Sequence, residues 1–175
     1  MNKYYYLVAS LPYLGFGDSP PVDRDMFISE CKKWLSPADM ETLLAAEMWR
    51  FEIAEEEIDL LREWKSFDSG LREELARVRA SRKRAGGYKV PERLKEIMGL
   101  ETPLLMEEKL ERFRWDFLEE KGASYHFDVN WLVVYFLKLQ ILERLGVFDK
   151  DKGEGIFYKL CEVNYEQAIG QDNGC

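Results

Sequence analysis

His126 is the only histidine in the sequence, two residues before Asp128, and a carboxylate at that spacing could orient an imidazole for acid–base work. No nucleophile motif accompanies the pair, so a loop or capping histidine is the simpler reading. A single histidine also removes multi-histidine metal sites. The carboxylate-bridged di-iron bundle, the metal chemistry closest to a helical chain, needs Glu-x-x-His pairs, and residue 123 is Ala. Cys31, Cys161 and Cys175 are widely spaced and include no CxxC. Cys31 and Cys161 read as small apolar residues of helices, and Cys175, after "GQDNG", as part of a frayed tail.

Phosphate chemistry has no better footing. "GFGDSPP" holds two glycines but follows neither the GxxxxGKS/T nor the GxGxxG pattern, and Gly86-Gly87 closes a helix instead of opening one. The expectation is therefore a protein with no catalytic residue, no cofactor, no metal and no small-molecule substrate.

Two charge blocks remain. "EIAEEEID", Glu52 to Asp59, carries five acids and reads as the solvated first turn of a helix, where the dipole stabilises negative charge. "RVRASRKRAGGYK", Arg77 to Lys89, carries six cations and no acid. It reads either as a helix C-terminus favoured by the dipole or as a docking patch for an acidic partner or nucleic acid. Tyr88 is the one aromatic among these cations, a weak basis for RNA stacking.

The elements that must position these residues are helical. With 46 % hydrophobic and 33 % charged residues over 175 positions, the chain can bury a core as a single domain without metals or disulfides. A net charge of −8 repels a phosphate backbone overall, which argues against nucleic acid as the main partner. No signal peptide is recognisable, and the odd cysteine count points to a cytoplasmic location.

The opening "YYYLVASLPYLGFGDSPP" reads as a short strand or an extended arm over residues 1–22, because its residues favour strands before prolines and glycines accumulate. Asp23 caps "RDMFISECKKWL", Ser36-Pro37 opens "ADMETLLAAEMWRFE", and Thr102-Pro103 opens "LLMEEKLERFRWDFLEEKG". In the last of these, Leu110, Phe113, Phe117 and Leu118 share a face. "EEEIDLLREWKSF" and "SGLREELARVRASRKRAGG" read as two helices, "PERLKEIM" as a short one, and Ile156, Phe157, Leu160, Cys161 and Tyr165 as the face of a last one. The fold class expected is mostly α, a multi-helix bundle with possible sub-units 23–87 and 88–175.

"FDVNWLVVYFLKLQILERL", residues 127–145, is the most apolar stretch. A membrane span fails because Lys138 near a bilayer centre would cost about 2.5–3.5 kcal/mol. Aliphatics on both arcs of the wheel predict a helix covered on nearly all sides, so Asn130, Lys138 and Gln140 should meet backbone or acidic groups, of this chain or of another subunit.

"YYYLVASLPYL" followed by "CKKWLSPADMETLL" resembles the N-terminal signature of a short, functionally uncharacterised bacterial family encoded among V-type ATPase genes. "FDVNWLVVYFLKLQILERL" resembles the recurring helix of the V-type ATP synthase C subunit (subunit d in eukaryotes), with Asp128, Asn130 and Lys138 at the matching positions. The chain is about half a full C subunit and lacks three evident repeats. The resemblance implies a non-catalytic helical coupler between the central stalk and the membrane rotor ring, touching the membrane only through the complex. Its candidate partner-binding residues are Arg77, Arg79, Arg82, Lys83 and Arg84 of the basic run, with Asn130, Lys138 and Arg144 of the mixed arc. A helical nucleic-acid-associated or adaptor protein using residues 77–89 is the alternative, and a small enzyme of unrecognised type is a third class.

Overall fold

A computed structural model describes residues 4–50, 52, 57–84 and 90–147, without the side chains of residues 82–84 and 93. Seven helices lie among them: α1 (Tyr5–Ser10), α2 (Arg24–Trp34), α3 (Pro37–Ala45), α4 (Asp59–Arg84), α5 (Glu92–Met98), α6 (Pro103–Gly122) and α7 (Val129–Val147). No strand occurs among the described residues, and the protein is a mostly α, multi-helix fold. The predicted last helix, with Cys161 and Tyr165, lies outside the described residues, as do Cys175, Gly86, Gly87, Tyr88 and Lys89.

Helix starts follow the local chemistry. The Asp23 carboxylate accepts from Met26 N–H at 2.7 Å, Ser36 Oγ from Asp39 N–H at 3.3 Å, and Thr102 Oγ1 from Leu105 N–H at 3.2 Å. Each satisfies a donor that a helix start leaves without an intrahelical partner.

Three expectations about elements are corrected. Residues 5–10 form a helix in place of a short strand or extended arm. A single strand has no neighbour for its backbone groups, whereas one helical turn pairs them internally and turns Leu7 and Val8 into the core. The arm is also anchored: Tyr4 N–H donates to Phe127 O at 2.9 Å, and Tyr135 OH donates to Pro12 O at 3.0 Å. Phe127 holds a left-handed φ of 56°, strained by about 1–2 kcal/mol for a residue with a Cβ, under that hydrogen bond and the Tyr5 ring at 4.8 Å.

The two helices predicted across residues 55–87 are one, α4, running through Gly70. A helical glycine costs about 1 kcal/mol, and burial of the adjacent Leu71, about 1.5–3 kcal/mol for a leucine, outweighs it, while Arg72 and Arg114 pair the buried Asp68 carboxylate. The start of α4 at Asp59 leaves Glu57 outside the helix, and Glu57 is not solvated there: it pairs with Lys65, whose side chain is 3 % exposed against 8 % for Glu57.

The third correction is the end of α3, at Ala45 and not near Glu52. The amide of Gln140, on α7, explains it. Its Oε1 accepts from Met48 N–H at 3.1 Å, and its Nε2 donates to Ala46 O at 2.9 Å. The chain can leave the helix while its buried backbone groups stay paired. Gln140→Leu strands both groups and should cost about 2–4 kcal/mol at about 1–2 kcal/mol each. A denaturant titration showing a loss below about 0.5 kcal/mol would remove the amide from this role.

Helix α7 is the axis of the fold. Ten of its residues, including Leu132, Phe136, Leu139 and Leu142, are buried, and it packs on α6, α3 and α2. Close approach to α6 is possible because residue 122 is glycine: a Cβ there would stand 3.1 Å from Val134 Cγ1. No helix among the described residues is long and apolar enough to cross a membrane.

Two apolar clusters result. The larger joins α1, α2, α3, the start of α4, the end of α6 and all of α7; the smaller joins Leu71, Leu75 and Val78 of α4 to Leu94, Ile97 and Leu110. Both take residues from either side of position 87.

Candidate functional site

Between these clusters lies a layer of charge. Along α4, Trp64 belongs to the larger cluster and Leu71 to the smaller, with Asp68 between them; along α6 the order is reversed, from Leu110 through Glu111 and Arg114 to Trp115. Arg114 Nε donates to Asp68 Oδ1 at 2.7 Å and its Nη1 to Glu111 Oε1 at 3.1 Å, with all three side chains at most 4 % exposed. Arg72 Nε binds the other Asp68 oxygen at 2.7 Å. From α7, Arg144 reaches Glu111 Oε1 at 3.0 Å and Glu107 Oε2 at 2.9 Å. Six charged groups from three helices thus form one connected network.

Helical spacing explains the assembly. Residues 107, 111 and 114 are one turn apart on a single face of α6, as are 68 and 72 on α4. Burial of that face is the tertiary event, because it strips water from Glu111 and Arg114 and makes mutual pairing compulsory. The buried face of α6 therefore carries Glu111, Arg114 and Trp115 beside Leu110 and Leu118, while Phe113 and Phe117 pack against the clusters half-buried.

Glu111 is the least comfortable member. Its Oε2 is buried without a hydrogen-bond partner among the described residues. Burial pushes its carboxyl above the ordinary range, against the pull of Arg114 and Arg144, and Glu107 and Asp68 push the same way as burial. A carboxyl whose folded pKa is raised holds its proton more tightly folded than unfolded, so its contribution to stability is full below the unfolded value and is lost as pH rises through the folded one. Wild type should therefore lose stability relative to Glu111→Gln as pH climbs from about 4.5. Paired melts of the two proteins across that range test it, and a constant or opposite difference counts against the raised value.

The predicted partner-binding residues scatter over this frame. Arg144 is in the network and its guanidinium lies 5.0 Å from the Trp49 ring. Arg79 borders the same network, in a cleft with Trp49 and Arg114. Arg77 points elsewhere, exposed and paired to Glu73 at 3.1 Å. Arg82, Lys83 and Arg84 close α4, and their side chains lie outside the described residues. Asn130 is half-buried at the start of α7. Lys138 binds Glu119 of α6 at 3.2 Å and lies 4.8 Å from the Trp115 ring centre, so its partner is an acid of this chain. His126 is exposed, and Asp128 caps α7 by accepting from Trp131 N–H at 2.9 Å. Cys31 is fully buried and its thiol is pushed up to about 12, mainly by burial, which leaves it unreactive.

Lys138 also borders a second feature, a groove of about 480 Å³ between the N-terminal arm and the α6–α7 pair, lined by Val8, Leu11, Pro12, Tyr13 and Trp131. Tyr13 is 87 % exposed beside it, and Tyr6 on α1 is 75 % exposed. The sequence reading did not single out these tyrosines as partner residues. Tyr6 ends a run of three tyrosines, and Tyr13 follows Pro12 in the segment rich in proline and glycine.

Asp68, Glu107, Glu111 and Arg114 were likewise missed, since in sequence they look like ordinary solvated helix charges. A family model described as Protein of unknown function (DUF2764) matches residues 73–164, a span that includes the α6 and α7 members of the network. No curated protein matches the chain, and no solved structure does.

Proposed function

We propose that this chain, which belongs to the family of unknown function DUF2764 through a match over residues 73–164 of 175, is a non-catalytic docking subunit whose parent assembly is a V-type ATPase. In that assembly it would couple the central stalk to the membrane rotor ring. The observation that carries the docking reading is the groove along the arm, where Tyr13 stands exposed next to Leu11 and Trp131 with the Lys138–Glu119 pair at the rim. An exposed tyrosine beside an apolar cleft with charge at its edge has the make-up of a protein interface, in which an aromatic anchor supplies affinity and rim charges select the partner. The V-type assignment is supported by the resemblance at the two ends of the chain.

Purified stalk and ring components should bind the full chain, and the complex should slow hydrogen exchange at residues 5–14 and 131–138. Tyr13→Ser should weaken binding at least about tenfold, the size expected for a single aromatic anchor. Failure of every stalk and ring combination to bind overturns the V-type reading. Sub-micromolar, sequence-selective binding of RNA or DNA at physiological salt would instead favour the nucleic-acid adaptor.

A further inference from the structure

We propose that the cleft between α4, α6 and α7, beside Trp49, is a binding site for one small oxyanion, a phosphate or a carboxylate group. The site is separate from the groove along the arm and does not depend on the docking reading. The cleft has a volume of about 310 Å³, and four of the residues around it are arginines: Arg72, Arg79, Arg114 and Arg144. They arrive from three different helices in a chain of net charge −8. Such convergence is a tertiary arrangement that no helix end or run of like charge produces by itself.

Three of the four guanidiniums are held from behind. Asp68 fixes Arg72 and Arg114, while Glu111 fixes Arg114 and Arg144. These carboxylates are 2 % and 0 % exposed, so they orient the arginines and leave the water-facing side of the cleft to other ligands. An arginine has five N–H donors, and the two pairings each of Arg114 and Arg144 leave others for the forked geometry of carboxylate or phosphate oxygens. The fourth, Arg79, has no carboxylate partner among the described residues. Trp49 closes the side, with the Arg72 and Arg144 guanidiniums 5.3 and 5.0 Å from its ring. The exposed indole covers part of each guanidinium and leaves the cations their charge.

Charge balance points the same way. Against the four arginines stand Asp68, Glu107 and Glu111, an excess of one cation when all three acids are ionised. The raised carboxyl of Glu111 increases that excess whenever it holds its proton. Glu107 lines the cleft and pairs with Arg144, so an incoming oxyanion competes with it for that guanidinium. The most accessible starting contact is Arg79.

Calorimetric titration of the full chain with inorganic phosphate and, separately, with succinate at constant ionic strength tests the site. The expected result is saturable one-site binding of at least one probe, weakened at least about tenfold in Arg79→Gln, the loss of a charge-assisted hydrogen bond. Binding should be unchanged in Arg77→Gln, two residues away on the same helix but outside the cleft. Phosphate binding alone assigns a phosphoryl group, succinate binding alone a carboxylate, and binding of both a site that does not discriminate. The proposal is overturned if neither probe saturates, if Arg79→Gln binds like wild type, or if Arg77→Gln loses as much affinity as Arg79→Gln.

Discussion

Leu139→Asp should unfold the protein. Leu139 is fully buried in α7 at the centre of the larger cluster, and its neighbours on that face, Phe136 and Leu142, are equally inaccessible. A carboxylate placed there has no cation to meet, and burying it costs several kcal/mol against a total stability of about 5–15 kcal/mol. Lys138→Ala, one residue away, removes only a pair whose acid, Glu119, is half exposed, together with a cation–ring contact to Trp115. It should cost no more than about 1–2 kcal/mol. Circular dichroism melts decide between them: a cooperative transition for Leu139→Asp at the wild-type temperature would remove that face from the core.

The second large effect is expected at Arg114. Arg114→Met keeps the apolar stem but leaves two buried carboxylates, Asp68 and Glu111, without their shared cation. Breaking a buried pair from one side costs about 3–5 kcal/mol, because the remaining charge stays desolvated. Arg72 still binds Asp68 and Arg144 still binds Glu111, so the loss should fall near about 3 kcal/mol, the lower end of that range. For a chain of this length that is a drop of about 6–12 °C in Tm. Adding Glu111→Gln removes one of the stranded charges and should recover part of the loss, the non-additivity expected of groups in one network. A single variant melting within about 1 °C of wild type would mean the layer contributes nothing to the fold.

The network also shows why the helix pattern and its meaning separated. Glu107, Glu111 and Arg114 sit at the same helical spacing whether their face is wet or dry, and charge at that spacing on a wet face is ordinary. The α6 sequence was therefore read through its leucines and phenylalanines. What marks the charged positions out is the approach of α4, which carries Asp68 to Arg114 across 46 residues of chain.

Local chemistry alone determined three helix starts, since Asp23, Ser36 and Thr102 act on amides three residues away and need nothing else from the fold. The burial of α7 on nearly all sides was also legible, because aliphatics on both arcs of one helix have no other low-energy place to go. Tertiary structure decided the rest. Residues 5–10 became a helix because the core takes Leu7 and Val8 from one face, and α3 stopped at Ala45 because Gln140, 94 residues beyond Ala46, pairs the backbone groups of the departing chain. The convergence of Arg72, Arg79, Arg114 and Arg144 on one cleft belongs to the same class, because which side chains come together depends on which helices pack against one another.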